Sequence, residues 1–182
     1  MKLSIDAQRD PQSVTPDWQA VTTKAIEGVV AREVKPVLME SGSLVELLRA
    51  EWLGGSDGVA QVFLRTIDPG AVSAWHVHHA TTDRLFCVGG RALVVLYDAR
   101  VESLTHGVVA EYLVGSDRPT LLIVPPGVYH GLKALGAQPA AIVNMPDEAY
   151  SYVQPDHWRL PSDSIDIPYS FDDPQEPSMR AT

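Results

Sequence analysis

The sequence lacks the features of a membrane protein, of a nucleic-acid-binding protein and of a disulfide-bonded protein from an oxidising compartment. It has one cysteine, Cys87, which excludes a disulfide within the chain, and no run of about 18 apolar residues, which excludes a membrane-spanning helix. The first residues also lack the apolar stretch of a signal peptide. Basic residues are few: 14 Lys and Arg against 23 Asp and Glu give a net charge of −9, which disfavours nucleic acid and anionic lipid. We therefore predict a cytoplasmic protein that contacts neither nucleic acid nor membrane.

The chain does contain enough apolar residues for a packed core. Hydrophobic residues make up 45% of its 182 positions, which suits one globular domain. From Gly58 onward, short apolar runs alternate with Gly- or Pro-containing turns at a spacing of roughly ten residues, a pattern typical of an antiparallel β-sandwich or barrel. The predicted strands lie in VAQVFLRTI, SAWHVH, RLFCV, RALVVLYDAR, VAEYLVG, TLLIV and AAIVNM.

The two ends of the chain carry weaker signals. TTKAIEGVVAREVKPVLME and SGSLVELLRAEWL each have a composition compatible with either a helix or a strand. We predict an N-terminal arm and edge strand over residues 1–40, a barrel over 41–170 and an acidic tail over 171–182. The predicted fold class is therefore all-β, with short helical or irregular arms.

A histidine cluster interrupts one of the predicted strands, in GAVSAWHVHHATTDRLFCVGG. His76 and His78 are two positions apart, so in a strand they share a face with their Cα atoms about 6.6 Å apart. A hairpin would return Asp83 to their side, whereas His79 faces the other way. Imidazoles at this spacing can bind one metal ion, although a single HxH pair more often consists of surface residues.

These residues form part of two motifs that resemble those of the cupin superfamily. The first runs from Gly70 to Gly90 as G-x5-H-x-H-x4-D-x6-G, with Asp where the family usually has Glu, and the second is P-x-G-x2-H in PPGVYH. The resemblance implies a jelly-roll β-barrel with one metal ion inside. Three imidazoles and a carboxylate suit divalent Fe, Mn, Ni or Co, while Zn prefers fewer ligands. The implied ligands are His76, His78, Asp83 and His130.

The chain also resembles a cupin subgroup, the dTDP-4-dehydrorhamnose 3,5-epimerases. The resemblance is carried by GSLVELLR, YDARVESLTHG, VPPGVYHGL and DEAYSYVQPDHWRLPSDSIDIPYSF. It implies that His76 removes a proton beside a 4-keto group and that Tyr150 returns one from the opposite face. These residue types suit the task, because a neutral imidazole is a good base and a phenol is a usable acid. The resemblance also implies a homodimer, in which strands near the N-terminus exchange between protomers.

Several charged residues of that subgroup have no counterpart in this chain. The lysine that stabilises the enolate falls at Asp83, and two arginines fall at Ser41 and Ser73. The LSxKD tail, whose aspartate pairs with the base, is missing. A nucleotide sugar then fits a chain of charge −9 poorly, whereas a divalent metal can polarise a carbonyl in place of the lysine. With His76 as a ligand, the histidine-base mechanism no longer applies.

Our first hypothesis is therefore a metal-dependent cupin enzyme that acts on a small carbonyl-bearing substrate by isomerase, epimerase, cyclase or lyase chemistry. The second hypothesis is a metal-free dTDP-4-keto-6-deoxyhexose 3,5-epimerase with His76 as base and Tyr150 as acid. The same ligand set also suits an Fe(II) dioxygenase, and the same barrel suits a non-catalytic protein that binds a small molecule.

Four further residues are candidates for substrate binding. Arg65 is a substrate anchor if its strand directs it inward and a solvated charge if it faces outward. Arg100 either binds a substrate carboxylate or, as we favour, forms an ion pair with a neighbour such as Asp98. Glu46 lies in the LVELLR match, and His79 reaches the substrate only if the strand has ended before it.

Overall fold

The computed structural model describes residues 14–16, 25–53 and 58–172, and nearly all of the regular structure is strand. The only helix in these ranges is a single 3₁₀ turn over Ala50–Trp52. The described residues contain no helix with the length and apolar character that a membrane span requires. The strands are β1 (Val30–Glu33), β2 (Val37–Met39), β3 (Gly42–Leu44), β4 (Phe63–Ile67), β5 (Val72–Val77), β6 (Asp83–Gly89), β7 (Arg91–Asp98), β8 (Val109–Gly115), β9 (Thr120–Val124), β10 (Val128–Leu135), β11 (Ala140–Asn144) and β12 (Trp158–Arg159).

Ten of these strands form two five-stranded antiparallel sheets. One has the order β1-β9-β6-β11-β4 and the other the order β12-β5-β10-β7-β8, while β2 and β3 pair only with each other. Apolar side chains from both sheets, such as Leu96, Leu122 and Ile142, form a shared buried cluster. Alternate residues of a strand face opposite sides, so each inner face buries its apolar set in this core. The arrangement is the all-β jelly-roll barrel expected from the sequence.

The register of three strands brings the histidines together. On β5 and β10, His76 lies directly opposite His130. On β12 and β5, Arg159 lies opposite the same His76. Directly opposed residues on antiparallel strands project from the same face, so these side chains share the interior side of the sheet.

The segment that follows β12 covers the outer face of the second sheet. Trp75 is fully buried there against Tyr169 and Phe171. Lys133 Nζ donates a 2.6 Å hydrogen bond to the carbonyl of Phe171, which fixes the end of the segment. Gly131 leaves room for this packing, because a Cβ there would lie 2.7 Å from Phe171 Cζ. Most of the predicted acidic tail lies outside the described residues, as does most of the arm before residue 25.

Most predicted strands are present, and two coincide with their predicted bounds, namely VAEYLVG and TLLIV. Strand β10 was not predicted, because VYHGLKAL alternates poorly and contains a glycine. The two ambiguous segments form the short strands β1 to β3 and the 3₁₀ turn. The predicted division at residues 40 and 170 stays a prediction.

Candidate active site

One cavity opens between the two sheets at the end of the barrel where β5, β6 and β10 meet. Its lining combines apolar side chains of the core, such as Leu85, Leu132 and Ile142, with an unusual number of imidazoles. The polar residues that define its chemistry are His76, His78, Asp83, His130, Tyr150 and His157.

Asp83 forms the centre of one group inside this cavity. Its Oδ2 atom lies 3.2 Å from the Nε2 atoms of both His78 and His130. Its Oδ1 atom accepts a 2.7 Å hydrogen bond from the side-chain amide of Asn144. Burial alone would raise the pKa of Asp83, but the hydrogen bonds from His130 and His78 outweigh it and keep this pKa well below its usual value. The group therefore contains a fixed carboxylate between two imidazoles.

The ring orientation of His78 is set by a residue 78 positions away. Nδ1 of His78 makes a short contact with the carbonyl oxygen of Asp156, which can only accept, so Nδ1 carries a proton and Nε2 faces Asp83. Burial opposes the charged form of His78, but Asp83 and Asp156 outweigh it and raise the pKa of His78.

The side chain of Asp156 fixes the turn between β5 and β6. Its two carboxylate oxygens accept hydrogen bonds from the backbone N–H groups of His79, Ala80 and Thr81 at 2.8–3.1 Å. The hydroxyl of Thr81 donates a further bond at 3.1 Å. This turn leads from His78 to Asp83, so Asp156 positions both of these residues.

His76 belongs to a second group and does not point at Asp83. Its Nδ1 atom lies 2.7 Å from Nε2 of His157, and its Nε2 atom lies 3.0 Å from the hydroxyl of Ser73. Arg159 Nε donates to the same His157 Nε2 at 3.3 Å, so this nitrogen is an acceptor and His76 Nδ1 is the donor. His76 Nε2 then has its lone pair free to accept from Ser73.

The electrostatic surroundings keep His76 neutral. Its side chain is 3% exposed, and burial followed by the charges of His130 and Arg159 lowers the pKa of His76 to about 3. A neutral imidazole at neutral pH is available as a proton acceptor.

The structure places some of the other predicted residues at the cavity and others elsewhere. Arg65 and Tyr150 line the cavity, and Tyr150 is 48% exposed. Glu46 is exposed and forms an ion pair with Arg49 at 2.7 Å, outside the cavity lining.

His79 and Arg100 also lie outside the cavity lining, and their role as substrate contacts stays a prediction. The exposed His79 stacks on Trp158, with ring centroids 4.9 Å apart. Arg100 forms an ion pair with Asp98 at 2.8 Å, which is the role that the sequence favoured for it.

His157 and Asp156 are the site residues that sequence reasoning missed. They belong to no spacing motif and reach the cavity only because the chain returns after β11 to pair β12 with β5. The available signal was that both lie in DEAYSYVQPDHWRLPSDSIDIPYSF, one of the stretches that carry the epimerase resemblance, although the local run QPDHW is typical of a loop and does not by itself indicate a site.

The donor set fits a metal ion in part. The ligand atoms of His78, Asp83 and His130 all lie within 4.8 Å of one another. Two imidazoles and one carboxylate are a known ligand set for divalent transition metals, and a ligand histidine typically donates its second N–H to a carbonyl, as His78 does. His76, the fourth predicted ligand, is not in this group.

Three comparisons with known proteins agree with this fold. The family model described as "Polysaccharide biosynthesis C-terminal domain" matches residues 39–158. The chain is 32% identical over 139 residues, 76% of this chain and 89% of the relative, to the "Probable low-salt glycan biosynthesis epimerase Agl13" of Haloferax volcanii. It is 31% identical to the solved structure of a dTDP sugar isomerase from Desulfovibrio desulfuricans G20, with a TM-score of 0.74 over 80% of this chain and 91% of that one.

A third relative, the dTDP-4-dehydrorhamnose 3,5-epimerase of Elizabethkingia anophelis NUHP1, is 20% identical. Its solved structure matches with a TM-score of 0.70 over 85% of this chain and 87% of that one. At this identity the match concerns the fold alone.

Proposed function

Because this chain belongs to the polysaccharide biosynthesis C-terminal domain family, among cupin-fold enzymes related to dTDP-4-dehydrorhamnose 3,5-epimerase, we propose that it epimerises a nucleotide-linked 4-keto sugar without a metal. One observation carries the proposal: His76 and Tyr150 line the same cavity of the barrel. The metal-free epimerase was the second hypothesis from the sequence, and it now replaces the metal-dependent enzyme as the first.

The proposed reaction begins with proton removal beside the keto group. His76 is neutral and presents its Nε2 lone pair, so it takes the proton once the Ser73 hydroxyl gives way to the substrate. The resulting enolate is re-protonated on its other face by the phenol of Tyr150. The subgroup's lysine is Asp83 here, so the Nδ1–H group of His157, whose Nε2 atom is an acceptor, is left to stabilise the enolate oxygen.

A substrate panel tests this proposal. The full chain is incubated with 4-keto-6-deoxyglucose linked to dTDP, UDP or GDP, and the sugar configuration is followed by NMR. We expect inversion beside the keto group with at least one nucleotide, and no inversion with the His76→Asn variant. An unchanged configuration with all three would contradict the proposal.

A divalent metal is the second candidate, and the convergence of His78, Asp83 and His130 favours it. These three residues would bind the ion, which when bound polarises a substrate carbonyl. His76 would remain with Ser73 and His157 and would still accept the proton.

Metal content by inductively coupled plasma mass spectrometry separates the two candidates. A metal-dependent enzyme retains about one Fe, Mn, Ni, Co or Zn per chain and loses it in His78→Ala but not in His106→Ala, an exposed histidine outside the site. A metal-free epimerase contains no stoichiometric metal and keeps full turnover after treatment with a chelator.

We also propose that the protein is a homodimer joined through the β2–β3 hairpin. All residues of this hairpin are exposed, including Val37, Leu38, Met39 and Leu44. A two-stranded hairpin is only marginally stable by itself, and an exposed apolar surface is typical of a contact with a partner. We propose that this partner is a second copy of the chain, because the sequence resemblance implies that N-terminal strands exchange between protomers.

The molar mass from light scattering tests the dimer. Leu38→Asp is expected to yield monomers, whereas Leu104→Asp, at a 94% exposed position outside the hairpin, is expected to leave the mass unchanged. A monomeric wild-type chain would contradict the proposal. Cytoplasmic location stays a prediction from the sequence.

A further inference from the structure

Arg65 projects into the cavity from the edge strand β4. It shares strand parity with Ile67, which is buried in the barrel core, and it lies opposite Ile142 of β11. Its side chain lines the cavity and remains accessible to solvent. The inward orientation is the one for which the sequence predicts a substrate anchor.

Arg159 approaches the same region from the second sheet. It lies opposite His76 in the β12–β5 register and therefore on the same face of the sheet, at an exposed position just outside the cavity lining. Its Nε atom donates to His157, which lines the cavity. One Nε–H is used in this contact, and the guanidinium keeps its other donors.

These two arginines lack the carboxylate partner that most other arginines of the described residues possess. Within residues 25–53 and 58–172, neither Arg65 nor Arg159 forms a salt bridge with a carboxylate, whereas Arg49, Arg91, Arg100 and Arg118 each do. Of the three carboxylates that line the cavity, Asp83 and Asp156 are already bound by imidazoles, an amide and backbone N–H groups, and the third, Glu148, is exposed.

The two positive charges also act on each other. Partial burial and then the charge of Arg159 lower the pKa of Arg65, so the charged form of Arg65 is destabilised until an anion arrives. A pair of guanidiniums is well suited to a diphosphate, because each binds phosphate oxygens in a bidentate manner.

We propose that Arg65 and Arg159 together bind the diphosphate of the nucleotide-sugar substrate, an inference that rests on the proposed function. They supply the positive charge that the related epimerases place at the positions of Ser41 and Ser73 in this chain. The site thereby accepts a dianionic group although the whole chain has a net charge of −9. The field at the cavity, rather than the net charge, decides the binding.

Calorimetric titration of the full chain with dTDP and with thymidine tests the pair. Arg65→Gln and Arg159→Gln are each expected to weaken dTDP binding by at least about tenfold, while thymidine binding stays unchanged. Arg65→Lys and Arg159→Lys are expected to recover part of the loss, since lysine keeps the positive charge but lacks the bidentate donors of a guanidinium. The matched control is Arg118→Gln, which removes an exposed arginine paired with Glu33 and should bind dTDP like wild type.

The outcomes separate this inference from the proposed function. Equal dTDP affinity of wild type and both glutamine variants overturns the inference, even if the wild type epimerises its substrate. Failure of the wild-type chain to bind dTDP, UDP or GDP overturns it as well. Arginine-dependent binding without any turnover supports the diphosphate site and contradicts the epimerase. Circular dichroism shows whether each variant is folded. If a glutamine variant is unfolded, the dTDP affinity of the lysine variants decides whether the arginines bind the diphosphate.

Discussion

Nδ1 of His76 lies 2.7 Å from Nε2 of His157, although 81 positions separate the two residues. This contact turns His76 away from Asp83 and directs its Nε2 atom to Ser73. It also determines which ring nitrogen carries the proton, because His157 Nε2 already accepts from Arg159. His76 is thus oriented by a second histidine.

The tautomer of His76 is the first prediction. Long-range ¹H–¹⁵N NMR of the wild-type protein at neutral pH should show His76 protonated at Nδ1 only. His157→Ala removes the acceptor, so a mixture of tautomers is expected, whereas His157→Gln retains an acceptor and should preserve the Nδ1–H form. Protonation of His76 at Nε2 in the wild type would refute this assignment.

The turn that carries His79, Ala80 and Thr81 should depend on Asp156. Asp156→Ala removes four hydrogen bonds to this turn, and we expect a loss of about 1–3 kcal/mol in the free energy of unfolding. Urea denaturation measures the loss. Asp172→Ala removes an exposed carboxylate of the same chain and serves as the control, with no expected change. Equal stability of the two variants would show that Asp156 does not fix the turn.

Asp98 should make the stability of the protein depend on pH. It is fully buried and accepts hydrogen bonds from Arg100, Ser103 and Thr105. Burial opposes ionisation, but these bonds outweigh it and keep the pKa of Asp98 below its usual value.

A lowered folded-state pKa means that the stabilisation is complete above the unfolded pKa of about 3.9 and is lost as the pH falls below it. Asp98→Asn is therefore expected to cost about 1–3 kcal/mol at pH 7 and progressively less below about pH 4. Chemical denaturation of both proteins between pH 3 and 7 gives the comparison. A difference that is independent of pH would mean that the charge of Asp98 is not involved.

Gly131 should tolerate no side chain. An added Cβ would lie 2.7 Å from both Ala74 Cβ and Phe171 Cζ, so Gly131→Ala is expected to cost about 1–3 kcal/mol and loosen the segment over Trp75. Thermal unfolding and tryptophan fluorescence report the two effects. Gly89→Ala is the matched strand control, since its nearest contact is an ordinary 3.4 Å. Equal melting temperatures would contradict the packing argument.

The fold was predictable because its signals are local. Gly and Pro punctuate the strands from β4 to β11, and alternation or apolar runs identify most of them. Strand β10 was not predicted because its inward face carries His130 and its outward face carries Gly131, which leaves room for Phe171. Both residues serve contacts with distant parts of the chain, which a short sequence window does not contain.

The site was predictable only in part, for the same physical reason. The resemblance to two cupin motifs implies that His78, Asp83 and His130 lie in one group, and the structure brings their ligand atoms together. Strand parity also put His76 on that face, but parity does not determine where a ring nitrogen points. The partners that orient it, Ser73 and His157, depend on the register of β12 with β5.

Deuterium exchange into a nucleotide-linked 4-keto-6-deoxyglucose in D₂O tests the epimerase account most directly. Wild type should exchange the hydrogen beside the keto group and invert that carbon. Tyr150→Phe should still exchange it but lose at least about tenfold in inversion, because only the acid is missing, and His76→Asn should lose both. A folded wild-type protein that binds the nucleotide yet exchanges no hydrogen, or a His76→Asn variant that exchanges at the wild-type rate, would contradict the account.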